Sequence, residues 1–139
     1  MRLIIAAALV AACCPASASE MLPGPYPAEI VRVIDGDTVE ARVHVWLGLD
    51  QTTRIRLRGI DAPELHGQCP GEREAAAAAR DHLIRLLAAG PVTVTDISID
   101  KYGGRVDARI RLPDGADVSA AMIKAGQALP TVRSRVPRC

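Results

Sequence analysis

Two segments of this chain alternate apolar and polar residues with a period of two, and that alternation leaves few architectures open. Val39, Ala41, Val43 and Val45 share one side of 39–46. Ile55 and Leu57 share one side of 53–58, with Arg54, Arg56 and Arg58 on the other. Both are the pattern of half-buried strands. Ile30–Ile34 reads as a third strand, ended by the turn dipeptide Asp35-Gly36. Next comes a stretch rich in Ala and Leu, Glu72–Ala89, opened by Pro70-Gly71 and stopped by Gly90-Pro91. It predicts a helix whose buried stripe is Leu83, Leu86, Leu87 and several alanines. Val92–Ile99 and Val106–Leu112 are two further strands around a Tyr102-Gly103-Gly104 turn. Val118–Ala125 is a short second helix with Gly126 in the C′ position. Three strands, a helix, two strands and a helix suit a small closed barrel better than a layered parallel sheet. The expected class is α+β, mainly β: a five-stranded barrel with two helices.

The ends of the chain are read separately. Met1-Arg2, the apolar run Leu3–Ala12 and the small-x-small site Ala16-Ser17-Ala18 have the form of a secretory signal peptide, too short to span a membrane. Val10-Ala11-Ala12-Cys13 offers an alternative, a lipoprotein box with Cys13 acylated. Either way the mature protein is expected outside the cytoplasm, secreted, periplasmic or anchored to the envelope. The expected division is a signal at 1–18, an extended proline-rich lead-in at 19–28, one domain at 29–128 and a tail at 129–139. Cys13 and Cys14 leave with the signal. Cys69 and Cys139 remain in an oxidising compartment and are expected to pair, tying the tail to the loop after Glu64. Such a bond contributes about 2–4 kcal/mol when unstrained.

Charge and composition exclude more than they suggest. Without Arg2, the 17 basic residues become 16 against 16 acidic ones, so no broad basic field steers polyanions toward the chain. Tyr26, Trp46 and Tyr102 are the only aromatics, too few for a row of base-stacking platforms. His44, His66 and His82 share no metal spacing and there is no Cys-x-x-Cys, which argues against zinc. No Gly-x-Ser-x-Gly elbow and no phosphate loop occurs. Glu72 and Glu74, with Arg73, are expected to cap and solvate the first helix.

Two short motifs carry the chemistry. Asp35-Gly36-Asp37-Thr38, taken alone, is a common hairpin turn. Asp61 and Glu64 lie three apart around Pro63, just beyond a strand and Gly59; alone they could be a solvated loop. With Arg56 they become a constellation of acids and a guanidinium on neighbouring strand ends. Such a set could hold a hard metal ion and a phosphate together.

The combination resembles the thermonuclease family, whose archetype is staphylococcal nuclease. The matching pieces are Val33-Ile34-Asp35-Gly36-Asp37-Thr38-Val39, Arg56-Leu57-Arg58-Gly59-Ile60-Asp61-Ala62-Pro63-Glu64, Asp100-Lys101-Tyr102-Gly103, and Asp114-Gly115 through Lys124-Ala125-Gly126. They run in the family's order over about 29–128, as in a short exported bacterial member. The resemblance implies an OB-fold barrel that cuts DNA and RNA with calcium, acting as a monomer without a stable protein partner. It implies Asp37, Asp61 and the Ala62 carbonyl as Ca²⁺ ligands, and Asp35 and Thr38 beside them. Glu64 would be the general base and Arg56 a phosphate clamp. The family's second arginine follows Tyr-Gly directly; here Gly104 is inserted and Arg105 takes the role. Lys101 and Tyr102 would line the nucleotide site, or form only a turn. Arg109 and Arg111 alternate with Arg105, so a plain solvated face is an alternative for all three. The chain departs from the archetype in a longer segment around Trp46–Gln51 and in ending soon after Gly126, without the final long helix. An exported OB-fold module that binds nucleic acid or another anion without cutting it is the competing reading. A structural domain of the envelope is the third.

Overall fold

The computed structural model describes residues 19–133 and 139. The expected export segment lies outside the described residues. The elements are β1 (Met21–Leu22), β2 (Tyr26–Asp35), β3 (Thr38–Trp46), β4 (Leu49–Leu57), β5 (Ile60–Asp61), α1 (Pro70–Leu87), β6 (Val92–Ile99), β7 (Val106–Arg111), α2 (Val118–Lys124) and β8 (Leu129–Pro130). A 3₁₀ turn follows at Thr131–Arg133.

β6, β2, β3, β4 and β7 pair in that order, and β6 pairs again with β7, so five strands close into a barrel. Every ladder is antiparallel except β4–β7, which is parallel. A parallel pair needs a long crossover, and the chain from Arg58 to Arg105 supplies it with α1 and β6. Closure removes the open edges that a five-stranded sheet would otherwise present. The expected OB-fold barrel with two helices is the observed one.

The alternation seen in the sequence becomes the core. Val39, Ala41, Val43, Ile55 and Leu57 are buried, joined by Val94, Ala108 and Ile110 from the other strands. α1 caps this core with Ala79, Leu83 and Leu87. Pro70 pre-sets the first helical φ and Glu72 lies in the first turn, where the helix dipole favours an acid. α2 starts on Asp117, whose carboxylate accepts from the Ala120 N–H at 2.9 Å. It ends in a Schellman motif, Gln127 N–H to Met122 carbonyl and Gly126 N–H to Ile123 carbonyl, with Gly126 at φ +71°.

Two short pieces differ from the expected layout. Tyr26–Ala28, read as the end of a lead-in, already pairs with Val92–Val94, and Met21–Leu22 pairs with Ser98 and Ile97. Prolines obscured this, because Pro27 can sit in a ladder only where no N–H is needed. In the tail, Leu129–Pro130 pairs with Ile60–Asp61. Cys69 and Cys139 are joined as expected, with Cα atoms 6.1 Å apart.

Candidate active site

The first motif is the β2–β3 turn, closed by the pairing of Asp35 with Thr38. The Asp37 N–H donates to Asp35 Oδ1 at 3.1 Å. Asp37 is buried and turns inward. Its Oδ2 accepts from the Ala62 N–H at 2.9 Å, and its Oδ1 accepts from the Thr38 hydroxyl at 3.0 Å. Its own carbonyl accepts from Leu57 N–H at 2.7 Å. One aspartate therefore fastens the first motif to both ends of the second.

Arg56 projects from β4 into the same space. Its Nη2 bonds to Asp61 Oδ1 and stands 3.7 Å from Asp37 Oδ2. The second arginine is held in the same way from the opposite side: Arg105 Nε bonds to Asp100, which is only 4% exposed. Asp100 also accepts from the Tyr102 N–H at 3.4 Å. The Arg105 guanidinium is 5.9 Å from the Tyr102 ring centre, and Lys101 Nζ is 4.8 Å from it. Arg56, Asp61, Glu64, Lys101, Tyr102 and Arg105 all line one open cleft of about 720 Å³. Asp37, Thr38 and Ala62 are buried rather than lining it.

Charge in this region is crowded. Burial, then the neighbouring Asp37 charge, pushes the Asp35 carboxyl from 3.8 up to about 6. Glu64 is raised by burial and by Asp37, against a lowering pull from Arg56. Asp100 is held low, chiefly by its bond to Arg105. A cluster that holds protons this way still has room for positive charge. The oxygens it offers a cation are carboxylates, the hard kind that calcium takes. The donor chemistry therefore fits a calcium-type ion. Among the described residues the acids do not converge on a single point, and the Arg56 guanidinium sits beside both Asp37 and Asp61. Cys69, Glu72 and Cys139 also lie close together, but the two sulfurs are bonded to each other.

The model of staphylococcal nuclease homologues matches residues 54–137, more than half of the chain. The chain belongs to this family. A micrococcal nuclease of Shigella flexneri is 35% identical over 135 residues, covering 92% of this chain and 68% of the relative. An uncharacterized endonuclease of Escherichia coli is 36% identical over 99 residues, covering 71% of this chain and 57% of its own length. Protein ParB of Escherichia coli is 37% identical over 107 residues, and the chain spans 54% of it. In this staphylococcal nuclease homologue the barrel brings Arg56, Asp61, Glu64 and Arg105 to one cleft, with Asp37 bonded behind them to the Ala62 N–H.

Some residues of the cleft were not visible as site residues in the sequence. Asp100 stood only as the first letter of a turn motif, yet it is the buried partner that aims Arg105. Asp107 and Thr131 also line the cleft. The signal for Asp107 was register: it lies directly across from Arg56 on the parallel strand. Arg109 and Arg111 do not join the cleft. Arg109 lies 3.6 Å from Asp117, and Arg111 donates to the Gly115 carbonyl.

Proposed function

We propose that this protein is an exported, calcium-dependent nuclease that hydrolyses phosphodiester bonds of DNA and RNA. One observation carries the proposal: Glu64 shares its cleft with two arginines that are each held by a carboxylate of their own. The nuclease names of the relatives support a nucleic-acid substrate.

Glu64 takes the proton from the attacking water. Its raised proton affinity makes it a stronger base than an ordinary surface glutamate. Arg56 and Arg105 bind the non-bridging phosphate oxygens and neutralise the charge that grows on them during displacement. Asp61 and Asp100 keep those guanidiniums in place before substrate arrives, which reduces the reorganisation left to the reaction. Asp37, Asp61 and the Ala62 carbonyl would hold Ca²⁺, with Asp35 and Thr38 steadying Asp37. When bound, such an ion would supply charge stabilisation beside the phosphate. Lys101 and Tyr102 border the outer part of the cleft and would hold the adjoining nucleotide. The signal-like segment at 1–18 supports export.

The test is digestion of single-stranded DNA and of RNA by the chain from Ser19 onward, with calcium or with chelator. Calcium-dependent fragments are expected from both. Glu64→Gln should lower kcat by about 10²–10⁴-fold with KM little changed, as removal of a general base does. Binding of calcium and DNA without products, in a folded sample, would sink the catalytic role and leave an OB-fold binding module.

A further inference from the structure

β6 changes phase part-way along its length. Val92 and Val94 are buried in the core. In an unbroken strand every even-numbered residue would follow them inward, Ser98 and Asp100 included. They do not. The ladder to β7 pairs Thr95 with Arg109 and then Ser98 with Asp107, so Asp96 and Ile97 together oppose Ala108 alone. That extra residue is a β-bulge, a device that re-aims side chains next to active sites. Beyond it Ile97 packs against the core, Ser98 meets Arg58, and Asp100 bonds Arg105. The bulge thus turns Asp100 away from the barrel interior and toward the guanidinium that it holds.

Such a bulge needs a lock. Asp96 sits at φ +52°, a left-handed conformation that residues other than glycine adopt at a cost. Both of its backbone groups are taken up by other parts of the chain. Its N–H donates to the Pro23 carbonyl at 3.1 Å, and its carbonyl accepts from Arg58 Nη2 at 3.0 Å. The same Nη2 donates to Ser98 Oγ at 2.6 Å and to the Asp107 carbonyl at 3.3 Å. One guanidinium therefore grips both the bulge and the rung that follows it. The main chain of Arg58 is fixed in turn: its N–H donates to the Ala108 carbonyl at 2.9 Å, and its carbonyl accepts from the Ser119 hydroxyl at 3.0 Å. Its Nε is buried with no acceptor among the described residues. An apolar side chain would avoid that cost, so packing alone does not account for an arginine here. We infer that Arg58 is a positioning residue for the phosphate clamp: it locks the β6 bulge whose change of phase sets Asp100 against Arg105. Its effect on turnover rests on the nuclease reading of the cleft.

Arg58→Met removes the donors and leaves a long side chain in their place. With calcium and single-stranded DNA it should lower kcat/KM about tenfold. In an Arg105→Ala background the same substitution should change kcat/KM by less than about twofold, since the guanidinium that it positions is gone. A loss of similar size in both backgrounds would overturn the positioning role, because general damage to the fold does not depend on Arg105. A second readout needs no turnover. The Arg105 Nε–H, bonded to Asp100, should give a slowly exchanging proton signal in the wild type and lose it in Arg58→Met, while the amides of Ile55 and Leu57 keep their protection. An unchanged Arg105 signal would overturn the inference. Should Arg58→Met not fold, Ser98→Ala takes its place, removing one acceptor only. It should cost about two- to threefold in kcat/KM, again only when Arg105 is present, and no loss would count against the lock. If the wild type cleaves nothing, the nuclease reading fails, and the Arg105 signal alone decides the role of Arg58.

Discussion

Gly36 has no side chain because two methyl groups already fill its place. A Cβ there would lie 2.7 Å from the Ala62 Cβ and 2.7 Å from the Ala79 Cβ. The glycine thus lets the β2–β3 turn press onto α1 and onto the loop that carries the Ala62 N–H to Asp37. Gly36→Ala should cost about 1–3 kcal/mol of stability, the usual penalty for overpacking, read as a lower urea midpoint. It should also weaken calcium binding, because the Asp37–Ala62 bond must lengthen. The sequence showed Asp35-Gly36 correctly as a turn. Why the glycine is needed was not legible, since its neighbours lie more than twenty residues away in the chain. The three alternating arginines teach the same limit. Arg54 is exposed, Arg56 enters the cleft, and Arg58 is drawn into a seam where its Nη2 donates to the Asp96 carbonyl and to Ser98 Oγ. Period-two alternation assigned them one face; it could not say what that face would meet.

Among the elements, those with many residues in register were legible and those with two were not. α1 was expected at 72–89 and runs from Pro70 to Leu87; the long strands agree to within a few residues. β1, β5 and β8 have no periodicity to read, being created by the partner that each finds. α2 is short enough that its ends decide its stability. Asp117→Ala should cost about 1 kcal/mol by removing the cap on Ala120 N–H, whereas Asp117→Asn keeps an acceptor and should cost much less. Chemical denaturation of the two variants side by side separates the cap from the neighbouring Arg109, which loses Asp117 as an ionic partner in both and keeps Asp96.

At the scale of the whole molecule, near-zero net charge and the acid-rich site pull in different directions. The folded state holds a proton on Asp35 up to about pH 6, while the unfolded chain releases it near 3.8. Glu64 shifts the same way. The native state therefore binds more protons in this window, and stability from these groups is fullest below about pH 4 and falls as pH rises through 6. A cation held at Asp37 and Asp61, as proposed, would compete with those protons. Added calcium should raise the Tm more at pH 7.5 than at pH 5, and Asp35→Asn should flatten that difference. Differential scanning calorimetry with and without calcium at the two pH values checks it; an equal calcium effect at both would contradict it.

The parallel rung between β4 and β7 sets Arg56 opposite Asp107, two residues beyond Arg105. Arg105 stands just before β7, so the two arginines are staggered, set apart both by the strand separation of about 4.8 Å and by two residues of about 3.3 Å rise each. The turn at 100–104 lies outside this ladder, so its length does not set the stagger. On the proposed nuclease reading, that stagger is the fixed dimension of the cleft: the ladder, and not the turns, decides how far apart two cations meet one phosphodiester.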